Sequence, residues 1–200
     1  MPALSFGGRI WVVDSAAKCT AALSTLSKCQ AVGFDTETRP SFTRGERHSV
    51  ALIQISSDTE CFLFRLNCLG GIPGELKDFL ENPNIIKIGL SLRDDFGAIN
   101  RVCDAHPAGF IDIQALVPQY GIGELSLSKI YGIVFGQRIS KSQRLTNWEA
   151  SELSESQQQY AAIDAWACLN LWRKLDTEGF DAQNSRWWRE KEESDETQKD

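Results

Sequence analysis

The sequence predicts a single α/β domain whose sheet contains three consecutive antiparallel strands. Three observations predict it. Short runs rich in β-branched and aromatic residues alternate with stretches of helical periodicity. Three of those runs, at 31–37, 50–56 and 60–66, follow one another with no helical pattern between them. A length of 200 residues and a mass of 22.3 kDa suit one domain with a substantial core.

In chain order, residues 9–13 read as a short strand, and Asp14 or Ser15 can cap a helix running to about Cys29. The strand Ala31-Val32-Gly33-Phe34-Asp35-Thr36-Glu37 follows at once, and the polar Ser57-Asp58-Thr59 joins the next two strands. Residues 74–82 suit a short helix stopped by Asn82-Pro83-Asn84, and 85–90 a buried strand leading into a helix at Ser91. Residues 110–115 suit a strand passing into a helix near Gln119, and 124–131 another helical piece. Residues 136–147 form a polar, basic connection. Ser154-Glu155-Ser156-Gln157 has the spacing of a capping box, so the last helix runs from Ser154 to about Leu175. Its apolar residues cover most of the circumference, which makes it a central packed helix.

Four carboxylates stand out in this frame. A strand sends every second side chain to one face, so Asp35 and Glu37 point together while Val32 and Phe34 anchor the other face. Taken alone, that pair also suits a strand ending in a polar turn. In the helix after Ser91 the apolar positions 92, 96, 99 and 103 make a stripe that includes Asp95 and leaves Asp94 opposite. In the last helix Tyr160, Asp164, Cys168 and Leu171 share a stripe, which places Asp164 in apolar company. An arginine or backbone donors could satisfy Asp164 by itself. Together, four inward acids from three elements point to a bound cation, because unpaired buried carboxylates cost several kcal/mol.

Composition narrows the chemistry. Six cysteines, at 19, 29, 61, 68, 103 and 168, form no Cys-x-x-Cys pair, and only His48 and His106 could join them. That pattern argues against a zinc site and a disulfide framework, and oxygen ligands favour Mg²⁺ or Mn²⁺. Neither a signal-peptide core nor an apolar run of bilayer length occurs, so a soluble, cytoplasmic protein without membrane contact is expected. The net charge is −6, yet residues 190–200 hold six acids and two lysines, which leaves −2 for residues 1–189. Acidity of this size does not exclude a polyanionic substrate. The expected organisation is one domain over 1–189, with 190–200 a charged, disordered tail and Trp187 and Trp188 packing before it.

Three segments then carry a resemblance: Phe34-Asp35-Thr36-Glu37, Gly89-Leu90-Ser91-Leu92-Arg93-Asp94-Asp95 and Tyr160-Ala161-Ala162-Ile163-Asp164-Ala165-Trp166. In this order they resemble the three motifs of the DEDDy 3'-5' exonucleases, more those of the Werner syndrome protein type than those of ribonuclease D. The likeness spans about residues 30–175. It implies an RNase H-like fold, a mixed five-stranded sheet with helices on both faces. It also implies two divalent cations, with Asp35 bridging them, Glu37 and Asp164 holding the one that carries the attacking water, and Asp95 serving the other mainly through water. Tyr160, with an ordinary pKa near ~10, would stay protonated and orient that water. The implied product is a nucleoside 5'-monophosphate.

Candidate substrate contacts are Arg39, Phe42, Arg44, Arg47 and His48 in one turn, and Lys141, Arg144 and Trp148 in the basic connection. Basic groups there would neutralise phosphates and an aromatic would stack on a terminal base; the alternative is a solvated hairpin and a packed tryptophan. The favoured reading is a metal-dependent exonuclease acting on DNA 3' ends. Ribonuclease D-like trimming of RNA ranks lower, since little chain follows Leu175. A non-catalytic module that holds a 3' end is the third reading.

Overall fold

The computed structural model describes residues 1–178 and Phe180; the expected domain limit at 189, the charged tail and Trp187–Trp188 lie outside the described residues. The elements run β1 (Arg9–Val13), α1 (Ala16–Leu26), β2 (Ala31–Thr38), β3 (Val50–Ser56), β4 (Glu60–Arg65), α2 (Leu66–Leu69), α3 (Gly74–Glu81), β5 (Ile86–Gly89), α4 (Leu92–Asn100), β6 (Phe110–Asp112), α5 (Ile113–Leu116), α6 (Leu127–Phe135) and α7 (Glu155–Glu178). The strands form one mixed sheet in the order β1-β4-β3-β2-β5-β6. β2, β3 and β4 are antiparallel as expected, while β1, β5 and β6 pair in parallel with their neighbours. The sheet therefore has six strands, one beyond the implied five; the short strand β6 closes the edge beside β5.

Helices cover both faces, and strand alternation explains which residues meet them. Val32, Phe34, Ile53, Ile55, Phe62 and Phe64 pack with α1, α3 and α4. Ala31, Leu52, Leu63 and Ile88 pack with α5, α6 and α7. α7 starts through a reciprocal capping box, Gln157 N–H donating to Ser154 Oγ at 3.2 Å and Ser154 N–H to Gln157 Oε1 at 3.0 Å. Among the described residues no helix is long and apolar enough to cross a membrane.

Two helix starts differ from expectation, each because of a cap. The helix expected near Gln119 begins at Ile113, where the Asp112 carboxylate accepts the Gln114 N–H at 2.8 Å. The piece expected at 124–131 is Leu127–Phe135, started by Ser126, which accepts the Lys129 N–H, and ended by Gly136 at φ 69°.

Candidate active site

β2 supplies two acids. Asp35 and Glu37 extend on the α7 side, opposite the buried Val32 and Phe34, and a register shift between Glu37 and Thr38 ends the regular ladder there. α7 supplies the third, and one glycine sets its approach. A Cβ at Gly33 would lie 1.9 Å from the Ala165 carbonyl oxygen, so only glycine lets the helix backbone rest on β2 at this point. Asp164, next to Ala165, is thereby brought over Asp35. One oxygen from each of Asp35, Glu37 and Asp164 lies within 4.8 Å of the other two.

α4 brings Asp95 to the flank of this group. Ser91, at the helix start, has the left-handed φ of 62°. The N–H groups of Ser91 and Leu92 donate to the Asp112 carboxylate at 3.1 and 2.9 Å, which clamps the first turn. In that turn Asp94 is exposed and Asp95 half-buried, as helix register predicts. The Thr36 hydroxyl, between Asp35 and Glu37 in sequence, donates to the Asp95 carboxylate.

The electrostatics follow from burial of like charge. Burial, then repulsion by Asp95, Asp164 and Glu37, holds the Asp35 carboxyl well above the usual carboxylate range. Burial, then repulsion by Asp164 and Asp95, pushes Glu37 up to about 9, with Arg144 opposing. Burial raises Asp164 to about 7 against the hydrogen bond from Tyr160 and the charge of Lys141, and raises Asp95 to about 6 against the hydrogen bond from Thr36. Among the described residues none of the four acids takes part in a salt bridge. A close set of hard, mutually repelling oxygens without a salt-bridge partner fits a divalent cation such as Mg²⁺ or Mn²⁺.

Tyr160 lies one turn before Asp164 and is hydrogen-bonded to it; burial and the surrounding acids push its phenol well above its ordinary value. Trp148 stands behind it, ring centroids 6.0 Å apart. This corrects the reading of Trp148 as a base-stacking surface: its side chain is sealed in the core at 0% exposure. Arg65 explains why. Its guanidinium donates to the carbonyls of Ala150 and, at 2.8 Å, Ser151, while the Gln157 amide donates to Thr146 and Asn147, so the basic connection is pulled down onto the sheet.

A cleft of about 300 Å³ opens over two of the acids, Asp35 and Asp164, with Lys141 and Arg144 on its wall beside Tyr160. Of the other expected contacts, Phe42 is 80% exposed and Arg44 and Arg47 are exposed, all in the 39–49 loop. Arg39 pairs with Glu149 at 3.4 Å, and His48 lies 2.9 Å from Glu46 and 4.0 Å from Glu149. None of these five residues is among those lining the cleft. Sequence reasoning missed Gly33, Thr36, Asp112 and the wall serines Ser126, Ser128 and Ser140. A lone glycine inside a strand and an aspartate just before a helix were the available signals for two of them.

Known proteins resemble this chain in sequence and in fold. The 3'-5' exonuclease family matches residues 10–179. The bifunctional 3'-5' exonuclease/ATP-dependent helicase WRN of Mus musculus is 33% identical over 192 residues, covering 92% of this chain and 14% of that protein. Ribonuclease D of Haemophilus influenzae is 34% identical over 100 residues, covering 50% of this chain and 25% of that enzyme. The chain thus spans a minor part of both relatives. The crystal structure of the Aedes aegypti Nibbler EXO domain superposes with a TM-score of 0.75 at 20% identity, covering 87% of this chain and 92% of that one, which shows the shared fold.

Proposed function

The chain belongs to the 3'-5' exonuclease family, and on that premise we propose that it removes nucleotides stepwise from the 3' end of DNA, releasing nucleoside 5'-monophosphates. The observation that carries this reading is the group of Asp35, Glu37 and Asp164, with ligand oxygens within 4.8 Å of one another, two of which, Asp35 and Asp164, line a basic-walled cleft. These three acids would hold one divalent cation, and Asp35 with Asp95 at the flank a second. When bound, a pair of such ions supplies water activation and stabilisation of the departing 3' oxygen. Tyr160 keeps its proton and donates it in a hydrogen bond, so its work is orientation and not proton removal. Lys141 and Arg144 on the wall neutralise backbone phosphates and hold the strand end over the acids. Arg39, Phe42, Arg44, Arg47 and His48 would meet more distant nucleotides from the 39–49 loop.

A second reading keeps the site and changes the substrate to RNA 3' ends; the identity to a ribonuclease D favours it. End-labelled single-stranded DNA, recessed duplex DNA and single-stranded RNA, incubated side by side with Mg²⁺ or Mn²⁺, separate the two. Preferential shortening of DNA is expected, and a chelator should stop it. Faster shortening of RNA would install the second reading. Binding of all three without shortening would leave only a non-catalytic 3'-end module.

A further inference from the structure

We infer that Gln54 is a positioning residue for Asp35, its side-chain amide holding the Asp35 carboxylate in the orientation that accepts a divalent cation. This rests on the metal-binding reading of the carboxylate group proposed above. In the antiparallel pair of β2 and β3, Gln54 is directly opposite Asp35. Opposed residues project to one face with Cβ atoms roughly 4.5–5.5 Å apart, within reach of a glutamine side chain. Gln54 is wholly buried, and neither its amide oxygen nor its amide nitrogen has a hydrogen-bond partner.

That condition is unfavourable for folding, because both ends of the amide leave water and gain nothing in exchange. The rest of β3 shows what packing alone asks for: Val50, Ala51, Leu52, Ile53 and Ile55 are buried and apolar, and the buried Ser56 hydroxyl donates to the Ser57 carbonyl at 2.8 Å. An apolar side chain at 54 would serve the same core without an orphaned amide. The location supplies the missing partner. An ionised carboxylate offers about four lone-pair sites, and a cation takes only some of them. The Gln54 Nε2–H, paired across the strands from Asp35 and without a partner of its own, is the donor for a remaining site on that carboxylate. Donors of this kind orient the ligating oxygens, and their removal typically weakens metal binding by about 10–100-fold. Close passage of α7 over Gly33, in the pair Gly33–Ser56 that is next on the same face of the ladder, walls in this part of the sheet.

The test uses the full chain. Gln54→Met keeps the length and apolar bulk of the side chain and removes the amide. Calorimetric titration with Mn²⁺ should show roughly 10-fold or greater weakening relative to wild type, while the melting temperature in chelator stays equal or rises. A purely structural glutamine predicts the reverse, a lower melting temperature with unchanged Mn²⁺ affinity, and that result overturns the inference. Should Gln54→Met not fold, the Gln54 side-chain amide resonances of the wild-type protein, followed by NMR during Mg²⁺ titration, decide the matter. They should shift as the site fills, and resonances that stay in place overturn the inference. Asp35→Asn separates this from the underlying reading. If wild type and Asp35→Asn take up Mn²⁺ alike, the metal site itself fails; if only Asp35→Asn loses it and Gln54→Met does not, Gln54 alone is refuted.

Discussion

The two faces of the sheet both bury ionisable groups, and they treat them in opposite ways. On the α3 side, Lys87 of β5 is wholly buried, yet its ammonium donates to the carbonyls of Asn82 at 2.6 Å and Phe79 at 3.3 Å. It also stands 5.1 Å from the ring centre of Phe110 and 5.7 Å from that of Phe79. Lys87 therefore closes the end of α3 with partners the chain itself supplies. On the α7 side, Asp35, Glu37 and Asp164 cluster with Asp95 at their flank and no salt-bridge partner, and among the described residues only Thr36 and Tyr160 donate side-chain hydrogen bonds to the four. Buried charge satisfied from within belongs to the scaffold, whereas buried charge left in want of a partner marks where something from outside must bind.

Substitutions that break this contrast differ in size. Asp35→Asn and Asp164→Asn should each lower the rate of oligonucleotide shortening by about 10²–10³-fold or more, since on the proposed reading each removes charge that would hold a divalent cation at the reacting phosphate. Lys141→Ala and Arg144→Ala should each raise KM by roughly 10-fold with kcat nearly kept, and each should reduce the slope of log affinity against log salt by about 1.

The pH dependence of stability sharpens the contrast, because the two faces slope in opposite senses. In chelator the folded acids hold protons that the unfolded chain releases near 3.8 to 4.5, so their stabilising share is full below that range. It is lost as pH rises through about 6 for Asp95, about 7 for Asp164 and about 9 for Glu37. Melting temperatures of the metal-free protein should fall across that window; Asp164→Asn should flatten the fall, and Mn²⁺ should reverse it. The smallest effect concerns Lys87, lowered by burial from 10.5 to about 8. Between those values the unfolded chain binds more protons, so this group makes stability rise with pH. Lys87→Met should remove that rise and leave nuclease activity unchanged.

Much of this was written into local pattern. Alternation along β2 separated Asp35 and Glu37 from Val32 and Phe34, helix register chose Asp95 over Asp94, and Ser154 with Gln157 marked the start of α7. Each depends on the geometry of one element about its own axis, which a period of 2 or about 3.6 residues expresses directly. Other features have no such period. The rest of α7 on Gly33, the Asp112 clamp on Ser91, the withdrawal of Trp148 into the core and the stranded amide of Gln54 all join residues remote in sequence. The sequence by itself thus determined which face of each element carries an acid. Only the tertiary structure decided where the elements cross, because close packing of distant side chains, and not the repeat of any single segment, fixes the distance between them.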